Sequence, residues 1–438
     1  MSNNRIFIFE FVSGGGFNQV DIPNSLFCEG YGMLKSIITD FKALNFEIST
    51  LLDNRISFLT SHLDANKVSY VKAKDDYINI FKKALVDCEN AFIIAPEFSD
   101  ILYNLTKIVK DYKKQILSID LKGIQLGASK IKTYEYFRKN NIKTPETYQI
   151  PLVDGLDMDF ILKKFNELKT PIIIKPEDGV GAESIYYFKN RNQIQSFFKE
   201  LNYNIDLNRR YILQKYIDGR DLSVSLIGAP YNSNNLSIPP KILSINFQDV
   251  NIKESAIQSG YFGGYTPVKN YAQINKTLSN MFNKLDLSMF NSYFGIDFIK
   301  NEDLISFIEI NPRLTTSYIG IRNILNINPA EIIINNFSNS PEFQTIQINK
   351  HSIFTRLELR YKGELSLIEI RETVIPKLLK RIPEFVTPPI SFNISNQKDQ
   401  FFFSCFIATK EYDLYNSRKR LNIIKDILKK EYNFEVIK

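Results

Sequence analysis

The stretch FGIDFIKNEDLISFIEINPRLTTSYIG, from Phe294 to Gly320, constrains this 438-residue chain more than any other. Two apolar runs flank a polar turn at Asn301 to Asp303, the pattern of a β-hairpin. Asp297 lies in the first run and Glu309 in the second; Asn311 comes two residues later and faces the same side of the sheet as Glu309. Closing the hairpin brings Asp297 to about one or two positions from lying opposite Glu309, so three oxygen ligands can converge. Ile296, Phe298, Ile308 and Ile310 are expected on the other face, in a core. Two carboxylates and an amide oxygen suit a hard cation such as Mg²⁺, which usually brings nucleotide phosphates with it. On these residues alone, an ordinary hairpin with incidental polar side chains is the alternative.

The rest of the composition narrows the class. The length allows about two or three domains with real cores, and 24% charged residues against 44% hydrophobic ones describe a soluble globular protein. A net charge of +7 suits an anionic ligand. Lys and Arg are scattered rather than clustered, however, so nucleic acid is not an expected partner. Cys28, Cys88 and Cys405 form no CxxC pair, which argues for a reducing compartment and against a disulfide framework or zinc site. His62 and His351 are the only histidines, too few for most His-based metal sites and a poor basis for Ser-His-Asp catalysis. The apolar run before Glu10 is too short for a signal peptide, and nothing approaches the roughly 20 apolar residues of a membrane span. A cytoplasmic protein is expected.

Read in order, Arg5 to Val12 is a hydrophobic strand opening into Ser13-Gly14-Gly15-Gly16, without the GxGxxG spacing of a dinucleotide site. Next come a helical stripe (Met33, Leu34, Ile37, Ile38, Phe41), strands at Phe46 to Leu52 and Ala91 to Ala95, and a helix carrying Leu102, Leu105, Ile108 and Val109. This alternation predicts a parallel α/β domain over residues 1–125, with Glu10, the glycines and Glu97 at strand ends, where such sheets bind ligands. Lys130 stands in the first turn of a basic amphipathic helix. In TPIIIKPEDGVGAESIYYF a strand ends at Lys175-Pro176, passes a loop with Gly179 and Gly181, and resumes at Ser184 to Phe188. That is a flap whose amides can cover phosphates while Lys175 supplies positive charge, or else a plain hairpin. YILQKYIDGRDLSVSLI reads as strand, tight turn at Asp218-Gly219, strand. Gln214, Lys215 and the backbone of Tyr216 and Ile217 can edge an adenine ring, and Asp221 can accept from ribose hydroxyls. Ser259 to Pro267, rich in glycine and aromatics, reads as a lid or substrate loop with Tyr261 and Gly264, or as a structural turn. After about residue 343 the chain reads as an accessory α+β unit, residues 344–438, without a chemical motif.

In this order and spacing the lysine flap, the Gln-Lys-Tyr-Ile…Asp hinge and the Asp…Glu-x-Asn hairpin resemble the ATP-grasp superfamily. FEFVSGGG, LFCEGYGMLKSIITDF, KPEDGVGAESI, GYFGGYTP and EINPRLTTSYIG are similar to the carboxylate–amine ligase group that includes the tyramine–glutamate ligases of methanofuran biosynthesis. The resemblance implies a Rossmann-like domain at 1–125, an ATP-grasp domain at 126–343, and ATP with Mg²⁺ (or Mn²⁺). It implies Lys130 and Lys175 on the phosphates under the Gly179–Gly181 loop, Gln214 to Ile217 on adenine, Asp221 on ribose, and the metal on Asp297, Glu309 and Asn311. It also implies that Arg313 clamps an acyl phosphate, with Lys175 beside it in catalysis. Glu10, Gly15, Tyr261 and Gly264 are the candidate substrate contacts. The implied reaction is ADP-forming amide synthesis from a small carboxylate and an amine. A small-molecule kinase or a non-catalytic nucleotide-binding module are the alternatives, and a homodimer is left open.

Overall fold

The computed structural model describes residues 4–152, 155–179, 184–200, 205–228, 239–252, 260–337, 345–392 and 401–437. Three sheets organise them. The first is parallel, with β1 (Arg5–Glu10), β2 (Glu47–Asp53), β3 (Lys67–Val71), β4 (Asn90–Ile94) and β5 (Gln115–Ile116) in the order β3-β2-β1-β4-β5. β1 is central and apolar on both faces, as a strand covered on both sides must be. Helix α1 (Asn24–Ala43) shows the expected stripe and more: Phe27, Cys28, Tyr31 and Asp40 are buried as well. Its second face packs against the C-terminal strands and the helix Ser317–Ile324, so the helix has little solvent side.

The second sheet is small: β6 (Thr147–Gln149), β7 (Ile172–Pro176), β8 (Tyr186–Phe188) and β9 (Tyr211–Lys215), in the order β6-β9-β7-β8. It has its own hydrophobic cluster, including Ile161, Ile174, Phe188 and Leu213. The third sheet carries β10 (Arg220–Ile227), β11 (Lys241–Asn251), β12 (Gly260–Thr266), β13 (Tyr293–Asn301), β14 (Leu304–Asn311), β15 (Ser352–Tyr361), β16 (Phe385–Ile390), β17 (Phe401–Ala408) and β18 (Phe434–Val436). Its path is β14-β13-β10-β11-β12-β15-β17-β16, with β18 on β15. The C-terminal strands thus extend this sheet and also carry a cluster of their own around Leu359, Leu378, Phe403 and Leu428. One continuous apolar cluster joins the first sheet to the third.

Three local expectations change. β9 and β10 belong to different sheets, so Tyr216 to Gly219 is a crossing between lobes rather than a hairpin turn. The stretch from Gly260 to Thr266 is a strand, not a lid loop. Its glycines are needed because neighbouring backbones press in: a Cβ on Gly264 would lie 1.8 Å from the Phe247 oxygen and one on Gly263 2.1 Å from the Phe354 oxygen. The third is Ile308, which a β-bulge in the hairpin takes out of the core. Gly181, the polar loop at Tyr231 to Asn235 and Ser259 lie outside the described residues.

Polar contacts fix the first domain to the helix Ser317–Ile324. Asp40 of α1, buried, accepts from Tyr318 Oη at 2.7 Å and from Arg322 Nη2 at 2.6 Å and Nε at 3.0 Å. Removing one partner leaves a largely buried charge uncompensated, which costs about 3 kcal/mol or more. Asp40→Ala is therefore expected to lower the thermal unfolding midpoint by about 4 °C. Calorimetry on the full chain checks this.

Candidate active site

One long cleft runs between the small lobe, the hairpin β13–β14 and the ligand end of the first sheet. The hairpin builds its floor. Asp297 pairs directly with Glu309, because a β-bulge comes next and Phe298 pairs with Phe307. Ile308 is the extra residue. It leaves the core face and lines the cleft beside Glu309, while Phe307 turns inward against Phe298. Ile296, Phe298 and Ile310 are buried as expected.

Two lysines from separate elements converge on the floor. Lys130, first residue of the helix Lys130–Lys139, puts Nζ 3.2 Å from Glu309 Oε2 and donates to the Gly179 carbonyl at 2.7 Å. Lys175, near the end of β7, reaches the same carboxylate oxygen at 3.7 Å. Burial raises the proton affinity of Glu309, but the two lysines outweigh it and hold the carboxyl below its ordinary value. Asp297 goes the other way: burial, and then the Glu309 charge, push it up. Its oxygens accept from Asn311 Nδ2 at 3.0 Å and Gln248 Nε2 at 3.1 Å. Burial also lowers the Lys175 ammonium, against the pull of Glu309.

This donor set fits a hard divalent cation. Two half-buried carboxylates face each other with opposite displacements of proton affinity, and a cation between them relieves the repulsion from Glu309 that adds to burial in raising Asp297. Among the described residues no three Asp, Glu, His or Cys side chains converge, and Asn311 is the amide next to the pair. Its Nδ2 faces the Asp297 carboxylate here, so the amide would have to turn over to present its oxygen to a cation.

Further along the cleft lie Gly179, Gln214, Lys215, Tyr216, Ile217 and Asp221. The Gln214 side chain is buried and donates to Thr147 Oγ1 at 2.8 Å, so what it offers the cleft is largely its strand backbone. Asp221 is pushed up to about 6 by burial, against a backbone hydrogen bond and Lys175. At the opposite end Arg313 Nε donates to both oxygens of Glu97, at 3.0 and 3.1 Å, which orients the guanidinium across the domain boundary. Glu10 lines this end, with its carboxylate accepting from the Val12 and Ser13 amides and the Ser13 hydroxyl. Tyr261 lines it too.

Two candidate substrate contacts fall elsewhere. Gly15, at φ +95°, packs against Val71, where a turn needs the left-handed region. Gly264 is enclosed between β11 and β15. Conversely, Gln248 lines the cleft from outside every quoted motif, and Glu29, Thr316 and Ser317, which lie inside quoted motifs, line it although they are not among the candidate site residues. Gln248 is 49 residues from Asp297, and only the order of β11, β10 and β13 brings it near.

Residues 127–317 match the ATP-grasp domain, and residues 46–124 match the pre-ATP-grasp domain. The chain is 29% identical over 339 residues to the tyramine–L-glutamate ligase of Methanocaldococcus jannaschii, covering 76% of this chain and 89% of that one. It is 26% identical over 347 residues to the enzyme of the same name from Methanocaldococcus fervens, covering 76% and 94%. In fold it is similar to an L-amino acid ligase from Bacillus licheniformis, with a TM-score of 0.63 over 99% of this chain and 98% of that one, at 11% identity. An ATP-grasp superfamily protein from Archaeoglobus fulgidus gives a TM-score of 0.55 over 83% and 96%, at 22% identity.

The Asp221 shift has a measurable consequence. Its folded value of about 6 lies above the ~3.9 of an unfolded aspartate. The native state therefore binds the proton more tightly, and ionisation costs stability that builds up between the unfolded and folded values and is complete above the folded one. Asp221→Asn is expected to be more stable than the parent at about pH 8 by on the order of 2 kcal/mol, and so to unfold at a higher temperature. The advantage shrinks as pH falls through about 6 toward 4. Thermal melts across that range check the sign.

Proposed function

We propose that this chain, which carries an ATP-grasp domain behind a pre-ATP-grasp domain, is an ADP-forming ligase that joins a carboxylate to an amine through an acyl phosphate. The observation that carries the reading is the convergence of Lys130 and Lys175 on the Asp297–Glu309 floor, in a cleft that continues past Arg313 to the first domain. Anion-neutralising groups and a paired-carboxylate floor at one end, with polar and apolar walls at the other, serve phosphoryl transfer and then capture of the activated acid. The relatives suggest glutamate as the acid and tyramine or a related amine as the acceptor.

The chemistry asks for positioning and charge neutralisation rather than a side-chain nucleophile. The substrate carboxylate attacks the γ-phosphorus and ADP leaves; the amine then attacks the acyl carbon and phosphate leaves. Lys130 and Lys175 exchange Glu309 for phosphate oxygens beside Gly179. Gln214 to Ile217 hold the adenine edge and Asp221 the ribose. Arg313, kept oriented by Glu97, steadies the acyl phosphate. Mg²⁺ held by Asp297, Glu309 and Asn311 would supply the charge that neutralises the β- and γ-phosphates.

The test is a screen of carboxylates against amines, glutamate with tyramine included, that monitors ADP and inorganic phosphate together. Equal yields of both, dependent on both substrates, support the ligase. ADP without phosphate identifies a kinase, AMP excludes the acyl-phosphate route, and nucleotide binding without turnover leaves a binding module. Within the ligase, Glu309→Gln is expected to lower turnover at least ~10²-fold with an unchanged circular dichroism spectrum. Near-parental turnover contradicts the assignment.

A further inference from the structure

We propose that Glu29 is the residue that binds the amine substrate, and that the C-terminal unit shapes this specificity by holding Glu29 in place through Arg356. The inference rests on the ligase reading above and names the residue that reads the second substrate. Glu29 sits on α1 at the end of the cleft away from the nucleotide elements, with its side chain 12% exposed. One carboxylate oxygen accepts from Arg356 Nη1 at 3.1 Å and the other from Thr316 Oγ1 at 3.1 Å. A carboxylate has about four acceptor sites, so these two bonds orient the group and leave capacity for a ligand.

Three features of the wall favour a cation on an apolar body. Glu10 lies alongside, against Gly30: a Cβ there would come 2.6 Å from Glu10 Oε1, so only glycine lets α1 bring Glu29 this close to the end of β1. Glu10, Glu29 and Glu97, with Glu358 behind them, stand against Arg313 and Arg356, and Arg356 is shared between Glu29 and Glu358, so the acidic groups outnumber the guanidiniums by two. Leu26 and Met33, three residues before Glu29 and four after it on the same helix face, also line the cleft. A protonated amine docked on Glu29 thus has an apolar surface beside it for the rest of the molecule, and gives up a proton to that carboxylate before its lone pair attacks the acyl carbon.

Arg356 comes from β15, outside the residues 127–317 that match the ATP-grasp domain. Its guanidinium carbon lies 4.9 Å from the centre of the Phe262 ring on β12. Held between that ring and Glu29, Arg356 is a positioning residue: it fixes the carboxylate without lining the cleft. This gives the C-terminal strands a role in the site.

The experiment uses the full chain, glutamate and tyramine. Glu29→Gln is expected to raise the KM for tyramine about tenfold or more, with the KM for ATP unchanged. Arg356→Met should move the tyramine KM the same way, and Arg356→Lys, which keeps a charge, should restore part of it. An unchanged tyramine KM in Glu29→Gln, or an equal rise in both KM values, overturns the proposal. So does an Arg356→Lys indistinguishable from Arg356→Met. If the parent chain forms no product from this pair, the ligase reading of these substrates has failed. Calorimetry of tyramine binding then decides separately: binding lost in Glu29→Gln supports the proposal, and equal binding or none in the parent overturns it. Should Glu29→Gln not fold, the Arg356→Lys and Arg356→Met comparison carries the test in both assays.

Discussion

The structure depends on one charge arrangement, the Glu309 carboxylate shared by Lys130 and Lys175. Each of the three groups comes from a different element: the second strand of a hairpin, the start of a helix and a strand of the small lobe. A half-buried carboxylate opposite Asp297 is unfavourable without compensating charge, and two lysines near each other are unfavourable without an anion. Each therefore supplies what the other needs in the unliganded protein. The set is also ready for exchange, since phosphates can take the lysines while a cation takes the carboxylates.

The architecture divides labour around this point. The first domain and the large sheet share one apolar cluster and are tied by the Asp40–Tyr318–Arg322 contacts, so Glu10, Glu29 and Glu97 are held in fixed relation to the hairpin. The small lobe has a separate core and joins the large sheet through the crossing from β9 to β10, which places the covering elements on an independent unit. Asp178 links it back, accepting from the Ser99 amide of the first domain and from Arg209, whose guanidinium lies over Phe98. The cleft is where these units meet, and its two ends differ accordingly: lysines and strand backbone at one, carboxylates paired with arginines at the other.

Much of this is legible in the sequence because it is local. The hairpin, the Lys175 strand and α1 announce themselves through periodicity and turn chemistry over a few residues. Other features depend on distant partners. The bulge that aligns Asp297 with Glu309 and swings Ile308 into the cleft is a property of strand pairing, and alternation alone places Ile308 in the core. Glycines hide β12, since their low strand propensity masks a position crowded by neighbouring backbones. Glu29 reads as a polar residue on an amphipathic helix; its role emerges only when β15 delivers Arg356 to it across 327 residues. Gly15 illustrates the converse, a glycine just past a strand end whose left-handed backbone serves a turn against Val71.

The central claim is that the cleft activates a carboxylate as its phosphate anhydride. The most direct measurement supplies glutamate labelled with ¹⁸O in both carboxylate groups, together with ATP and tyramine, and reads the released phosphate by ³¹P NMR. Passage through an acyl phosphate transfers one labelled oxygen to each phosphate formed, because the oxygen that attacks phosphorus departs with it. Phosphate free of label, alongside amide formation, would contradict the account.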